Sequence, residues 1–325
     1  MIKIGIVPCQ HGLGHISRSI DLANKLSDKL SDKYSVFIIS SLKKNKKFKI
    51  NDTVKKINFV CTFDIKDKKY DQFWYKKLET KIQSLNIDIL ISDNLPEIIF
   101  LKIKSIIISN FFWHEIFNIK NKKLKRTLEL MKLRKIKIFR NKIFNDSNKF
   151  SKMGFIGGIN NKKKDSDGLL ISFGSDDIIY NHIDKEIRDI IFDKGRKIKI
   201  YLDPKYYKNK YSKLNVVEAT YSDKMFDQIK YAIIKPGFGS VNDCLKNKIL
   251  IFSYIDKNYN SEFLNNARAL KKKNLGFITK SLLNSYQDIK QKKFLNKYKP
   301  TKHLFHGEDQ IIKYIRSLIH KNNIK

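Results

Sequence analysis

Pro8-Cys9-Gln10-His11-Gly12-Leu13-Gly14-His15-Ile16-Ser17-Arg18 follows directly on the apolar run Lys3 to Val7, and its reading decides the fold. The run is short and β-branched, which predicts a buried strand. Beyond the glycines, Ile16, Ile20, Leu22, Ala23 and Leu26 recur at helical spacing and predict a helix that opens at the loop. Strand, glycine turn and helix make the first unit of an α/β domain, and the helix N-terminus offers N–H groups and a positive dipole to an anion. The loop is not a dinucleotide fingerprint. Ser17 stands where a further glycine is required, and the end of the next predicted strand reads Ser40-Ser41-Leu42-Lys43, without the acid that binds a ribose. NAD is disfavoured on both counts, and no Lys-Ser/Thr ending marks a phosphate loop. His11 and His15 flank the glycines, and histidine is the side chain best able to take a proton near neutral pH. The plainer alternative is a tight turn with incidental polar side chains.

Outward from this stretch the same alternation recurs. Further β-branched runs lie at Ser35 to Ser40, Asp88 to Ser92 and Lys104 to Ser109, then at Gly168 to Phe173, Lys197 to Leu202, Ala232 to Lys235 and Ile249 to Tyr254, with helical spacing between most of them. Strands alternating with helices predict parallel sheets covered on both faces. The pattern restarts after a polar stretch at 160–168. The expected division is therefore a Rossmann-like domain over 1–158, a linker over 159–167, a second Rossmann-like domain over 168–306, and a closing amphipathic helix over 307–325 built on Ile311, Ile312, Ile315 and Leu318.

Open α/β sheets bind ligands beyond the carboxyl ends of their strands. Besides the first loop, three places meet that test. In Ile91-Ser92-Asp93-Asn94-Leu95-Pro96-Glu97, Asp93 either orients a histidine base or caps a helix starting at Pro96. In Ser109-Asn110-Phe111-Phe112-Trp113-His114-Glu115, Trp113 and His114 form an acceptor platform or belong to the core. In Lys235-Pro236-Gly237-Phe238-Gly239-Ser240-Val241-Asn242-Asp243, the glycine loop and Ser240 open a helix suited to a diphosphate, and Asp243 sits one turn in, where a carboxylate accepts from vicinal hydroxyls. Glu262 opens the next helix, within reach of a sugar hydroxyl, and Gly174-Ser175 supplies a further small-residue loop for phosphate.

The 325 residues, 42% of them hydrophobic, suffice for two domains with real cores and exclude a disordered chain. The net charge of +35 raises the question of nucleic acid. Only 8 of the 67 basic residues are arginine, and residues 1–150 carry +18 against +17 for the rest, so the charge is spread where a nucleic-acid footprint would concentrate it. No recognition motif accompanies it, and a specific nucleic-acid partner is not expected. The Lys excess, in a chain also heavy in Ile and Asn, matches codon bias in AT-rich coding. No apolar run approaches the ~18 residues that span a membrane. The start is too soon broken by Pro8 for a secretory signal, and Cys9, Cys61 and Cys244 are scattered, so a reducing cytoplasm is the expected location.

Taken together, the motifs resemble those of GT-B glycosyltransferases. The first loop is similar to their Gly-x-Gly-His-x-x-Arg opening, and Gly237 to Asp243 with the helix after Asn260 is similar to their Gly-x-Gly-[Ser/Thr]-x-x-[Glu/Asp] donor motif. The branch resembled contains the peptidoglycan N-acetylglucosaminyltransferase and the UDP-glycosyltransferases, and Asn110-Phe111-Phe112-Trp113 also resembles the Asn-Phe-Ser-Trp of the glycosyltransferase-like half of arabinokinases. The resemblance implies two Rossmann-like domains facing a central cleft, with a UDP-sugar as co-substrate in the C-terminal one and no cofactor. It implies His15 as the base that deprotonates the acceptor hydroxyl and Asp93 as the acid that assists it. Gly239 and Ser240 would face the diphosphate, with Gly174, Ser175 and Gly237 beside them, Asp243 the ribose and Glu262 the sugar. His11, Gly12, Gly14 and Arg18 would form a phosphate or acceptor loop. The family usually has Glu where Asp243 stands, and its peptidoglycan member has a longer first loop than this one. No Asp-x-Asp pair sits in a suitable loop, so metal-independent transfer is expected, and the resemblance to this branch implies inversion.

Residues 119–143 carry eleven basic side chains against the one acid Glu129, interleaved with leucine and isoleucine. They are read either as a basic amphipathic surface for anionic membrane at the inner face, which would favour an envelope or lipid-linked acceptor, or as a solvated helix. Two other functions stay open: a nucleotide-sugar hydrolase using the same cleft, and a non-catalytic binder of nucleotide-sugars or polyanions.

Overall fold

The computed structural model describes residues 1–9, 13–41, 49–59, 74–110, 136–145, 148–160, 167–174, 177–257, 261–294 and 304–321. Its first strand, β1 (Ile2–Pro8), is followed by α1 (Leu13–Lys29) and β2 (Tyr34–Ser40). Then come β3 (Lys55–Asn58), α2 (Trp74–Ser84), β4 (Ile89–Asp93), a 3-10 turn at Pro96–Phe100, β5 (Lys104–Ile108), β6 (Lys137–Asn141) and β7 (Ser151–Met153). These seven strands form one sheet in the order β3-β2-β1-β4-β5-β6-β7, parallel throughout. The inner strands β1, β4 and β5 are rich in Ile, Val and Leu because helices or turns cover both faces of a parallel sheet. Ile4, Ile6, Ile89 and Ile91 pack under Ile16, Ile20 and Ala23 of α1 on one side, while Val7, Leu90 and Ile107 meet Leu78 and Ile82 of α2 on the other.

The second sheet begins at β8 (Gly168–Ser172), followed by α3 (Asp177–Ile191), β9 (Ile200–Leu202), β10 (Val216–Glu218), α4 (Asp223–Phe226) and β11 (Ile229–Ile234). It continues through α5 (Phe238–Lys246), β12 (Leu250–Tyr254), α6 (Ser261–Lys272), β13 (Gly276–Thr279) and α7 (Leu282–Lys290). Its order is β10-β9-β8-β11-β12-β13, again parallel. Each sheet therefore starts at its centre, winds to one edge, and returns to the centre to wind to the other. That is the strand order of a Rossmann fold, and both halves of the α/β expectation are met.

The chain divides into two compact units, Met1–Gly157 with His303–Lys325, and Gly158–Lys302. The last helix, α8 (Gly307–Lys321), thus belongs to the first unit, where Ile311, Ile312 and Ile315 enter the core beside α1. The expected limit of the second domain at 306 shifts to 302, because Leu304 to Gly307 bond back to the first unit through Phe155 N to Leu304 O and Gly307 N to Phe155 O. Asn160, expected in the linker, is tied into the second unit: its amide donates to Lys246 O and its Nδ2 to Asp227 and Asn247. The basic stretch 119–143 also needs correction at its end. Residues 119–135 lie outside the described residues, but 137–141 form β6, whose Phe139, Arg140 and Asn141 are buried, with the Arg140 guanidinium over the Phe150 ring. That part of the stretch is sheet, not a membrane-facing surface.

Candidate functional site

In each sheet the strand order reverses beside the first strand, and the loops that diverge there leave a crevice at the carboxyl ends. In the first unit the reversal lies between β1 and β4, whose last residues Pro8 and Asp93 are in register. Cys9 N donates to Asp93 O at 2.8 Å, and Asn94 N to Ile108 O, so the turn after β4 is pinned to both neighbours. Asn94 takes φ +61°, a left-handed conformation that asparagine tolerates. Ser92 Oγ donates to Leu95 O and accepts from Leu95 N, closing the turn. Asp93 does not cap the following turn, whose N-terminal flank is Leu95 without a side-chain bond. Its carboxylate is free to turn toward α1.

There it meets two side chains one helical turn apart. His15 Nδ1 lies 2.8 Å from Asp93 Oδ1, and Arg18 Nε donates to Oδ2 at 2.7 Å while its terminal nitrogen donates to Oδ1. Ser19 Oγ adds a long contact of 3.4 Å to Oδ2. Asp93 and Arg18 are buried at 1% and 7% exposure, and His15 keeps 18% of its side chain open. Burial alone would raise the Asp93 pKa, but the Arg18 and His15 charges and their hydrogen bonds outweigh it and hold the carboxyl at about 2. Asp93 is thus an anion at any physiological pH. Only Nδ1–H can donate to it at that distance, which leaves the Nε2 lone pair of a neutral His15 as a base. Arg18, expected in a phosphate loop, is turned inward onto the carboxylate. Gly14 is exposed, and a Cβ there would meet nothing within 4 Å.

In the second unit the reversal lies between β8 and β11. Gly174, just past β8, has φ +64° and is exposed, so a glycine suits this turn. Gly237 N-caps α5 with no side-chain bond to the cap, Ser240 is exposed in its first turn, and Gly239 and Asp243 are half-buried. The loop is held from two sides: Lys235 N donates to Ser172 O, and Asn266 Nδ2 on α6 donates to Pro236 O at 2.9 Å. Lys235 Nζ lies 5.0 Å from the centre of the Phe263 ring on the same helix, whose first turn carries half-buried Glu262. Gly174, Gly237, Gly239, Ser240, Asp243 and Glu262 therefore share the carboxyl edge of one sheet. His11, Gly12, Trp113, His114 and Ser175 lie outside the described residues.

Sequence reasoning missed a cluster at the same edge. Ser172 Oγ and Tyr221 Oη both donate to Oδ2 of the buried Asp203, at 2.9 and 2.8 Å, and Oη lies 2.6 Å from Oγ. Tyr221 sits at φ +53°, rare for a bulky residue, with its hydroxyl fixed and 43% of the residue exposed. Burial, and then the Asp203 charge, push the Tyr221 and Tyr180 hydroxyls well above the ordinary tyrosine range, so both stay protonated donors. Only the position of Asp203, just after a β-branched run, signalled it. Among the described residues no three His, Cys, Asp or Glu side chains gather as a metal site, and no helix is long and apolar enough to cross a membrane.

Solved structures match this architecture along the whole chain. The MurG of Acinetobacter baumannii aligns with 98% of this chain and 100% of its own, at TM-score 0.61 and 10% identity. The fold is that of GT-B glycosyltransferases. A UDP-glucosyltransferase from Polygonum tinctorium aligns with 99% of this chain and 94% of its own at TM-score 0.60 and 10% identity. The Streptomyces sp. SF2575 glycosyltransferase SsfS6, solved with thymidine diphosphate, aligns with 98% and 100% at TM-score 0.59 and 11% identity. No family model matches the chain, and no curated protein matches it by sequence. At these identities the likeness speaks for the GT-B fold, and activity rests on the residues.

Proposed function

We propose that this chain is a glycosyltransferase that moves a sugar from a nucleotide-sugar, UDP-linked, to an acceptor hydroxyl. The observation that carries the reading is the 2.8 Å contact between His15 Nδ1 and the buried, ionised Asp93, at the switch point of a GT-B first domain. His15 Nε2 takes the proton of the acceptor hydroxyl as its oxygen attacks the anomeric carbon, and Asp93 stabilises the imidazolium that forms. The bond to the diphosphate breaks on the opposite side, so a single displacement inverts the anomeric centre. Charge developing on the leaving diphosphate is met by the N-terminal turn of α5 at Phe238 to Ser240, by the Gly174 turn and by hydroxyls, without a metal. Asp243 takes the ribose hydroxyls and Glu262 the sugar. Neighbours solved with thymidine diphosphate support a nucleoside diphosphate leaving group.

The test is calorimetry of the full chain with UDP, dTDP, GDP and a short DNA duplex, followed by product analysis with the matching donors. Binding of UDP and transfer that is lost in His15→Ala support the reading. Donor consumed to free sugar without acceptor turns it into a hydrolase, binding that survives with no turnover makes it a binder, and NMR of the product showing retention removes the single displacement.

A further inference from the structure

We infer that Arg18 is a positioning residue that sets the proton of His15, and not a ligand of phosphate. The inference rests on the proposed role of His15 as base and deepens it. His15 and Arg18 stand three residues apart on α1, on one face of the helix, and both reach the carboxylate that ends β4. The guanidinium approaches Asp93 as a fork, Nε on Oδ2 and the terminal nitrogen on Oδ1, and the same terminal nitrogen lies 3.3 Å from His15 Nδ1. Asp93 Oδ1 is therefore shared between the imidazole and the guanidinium, and the carboxylate has no rotational freedom left.

The fork has a chemical consequence. Without Arg18 the buried Asp93 keeps only His15 and the long Ser19 contact, and burial then favours its neutral acid more than it does beside the guanidinium. As the acid it donates a proton to His15 Nδ1, and a neutral imidazole that accepts at Nδ1 carries its own proton on Nε2. The nitrogen that must receive the acceptor proton is then blocked. With Arg18 present the carboxylate is an anion, can only accept, and forces the proton onto Nδ1. Arg18 thus selects the tautomer in which Nε2 is a base. Binding of the donor diphosphate is left to the second unit.

The test reads the tautomer directly, by long-range 1H–15N NMR of the full chain, with His15 assigned from the His15→Gln spectrum. Wild type is expected in the Nδ1–H form. Arg18→Gln, folded by circular dichroism, is expected to invert toward Nε2–H with a change in ratio of about tenfold, the worth of one charged hydrogen bond; Arg18→Lys, which keeps charge but not the fork, falls between. A folded Arg18→Gln protein that keeps Nδ1–H overturns the inference. Should the variants fail to fold, the wild-type Arg18 Nε–H decides it: slow exchange with solvent and no movement on adding inorganic phosphate or UDP support the inference, and fast exchange or a phosphate-dependent shift overturns it. The two readings fail separately. A chain without transferase activity but with the tautomer inverted in Arg18→Gln loses the proposed function and keeps this one, and an active chain whose tautomer ignores Arg18 does the reverse.

Discussion

Lys29, at the end of α1, places its ammonium 2.8 Å from Oε1 of Glu308, a carboxylate with 1% exposure at the start of α8. The other oxygen of Glu308 accepts from Gly157 N at 2.8 Å. One buried carboxylate so joins the helix that carries His15 and Arg18 to the last residue before the chain enters the second unit.

Removing that carboxylate should destabilise the first unit. Glu308→Ala leaves the Gly157 amide and part of the Lys29 charge without a partner, for an expected loss of about 3 kcal/mol. Glu308→Gln keeps an acceptor for Gly157 and should cost about 1–2 kcal/mol. Burial works against ionisation of Glu308, but Lys29 and the Gly157 amide outweigh it and lower its pKa. A depressed carboxylate stabilises the fold above its unfolded pKa, about 4.3, and that contribution is lost as pH falls through the lower folded value. Urea unfolding of wild type and Glu308→Gln between pH 7 and pH 3 should therefore converge at the acid end.

The Asp93 cluster makes a second stability claim. Asp93→Ala strands the Arg18 guanidinium in a buried setting and should cost about 3–5 kcal/mol, whereas His15→Ala, at a partly open position, should cost about 1 kcal/mol or less. Because the folded pKa of Asp93 lies at about 2, its contribution is complete above pH ~4 and disappears as pH falls from there toward 2. Acid titration of Asp93→Asn should lack the part of the wild-type stability loss that falls in this window. Equal melting of Asp93→Ala and wild type would contradict the burial of the pair.

Tyr221 tests the cluster that sequence reasoning missed. Tyr221→Phe deletes one of the two hydroxyl donors to the buried Asp203 carboxylate and should cost about 1.5–3 kcal/mol, as for a hydrogen bond to a charged group. Ser172→Ala removes the other donor. Because the two share Asp203 Oδ2, their effects should not add, and a double-mutant cycle should give a coupling of about 0.5 kcal/mol or more.

Legibility followed burial. Strands covered on both faces, such as Lys-Ile-Gly-Ile-Val at β1 and Leu-Leu-Ile at β8, announce themselves as apolar runs. The edge strand β3, Lys-Lys-Ile-Asn, and the outer β7, Ser-Lys-Met, do not, because an edge with one exposed face has no need of a run. β6 was hidden by the lysines and arginines around it. His15 and Asp93, 78 positions apart, were legible together because each follows an inner strand of one parallel sheet, and such strands end on the same edge. The bond between Arg18 and Asp93 was not legible. A cation beside a glycine turn suggests an anion from outside, and sequence does not reveal that β4 supplies a carboxylate to it. The left-handed turns at Asn94 and Tyr221 left no mark, since neither is glycine.

The proposed donor edge of the second unit yields the last prediction. Asp243 lies one turn into α5, half-buried, and the proposed reading gives it the ribose hydroxyls. Asp243→Ala should then weaken UDP binding by about tenfold, or ~1.4 kcal/mol, since it removes a charge-assisted pair of hydrogen bonds. Asp243→Asn should recover part of this. Asn266→Ala acts differently, for Asn266 Nδ2 donates to the Pro236 carbonyl and holds the loop before α5. It should lower affinity for every nucleotide alike, ribose or deoxyribose, whereas Asp243→Ala should narrow the preference for UDP over dUDP. Calorimetry with this pair of nucleotides checks both. An Asp243→Ala protein that keeps its full preference for ribose would move the ribose contact elsewhere on that edge.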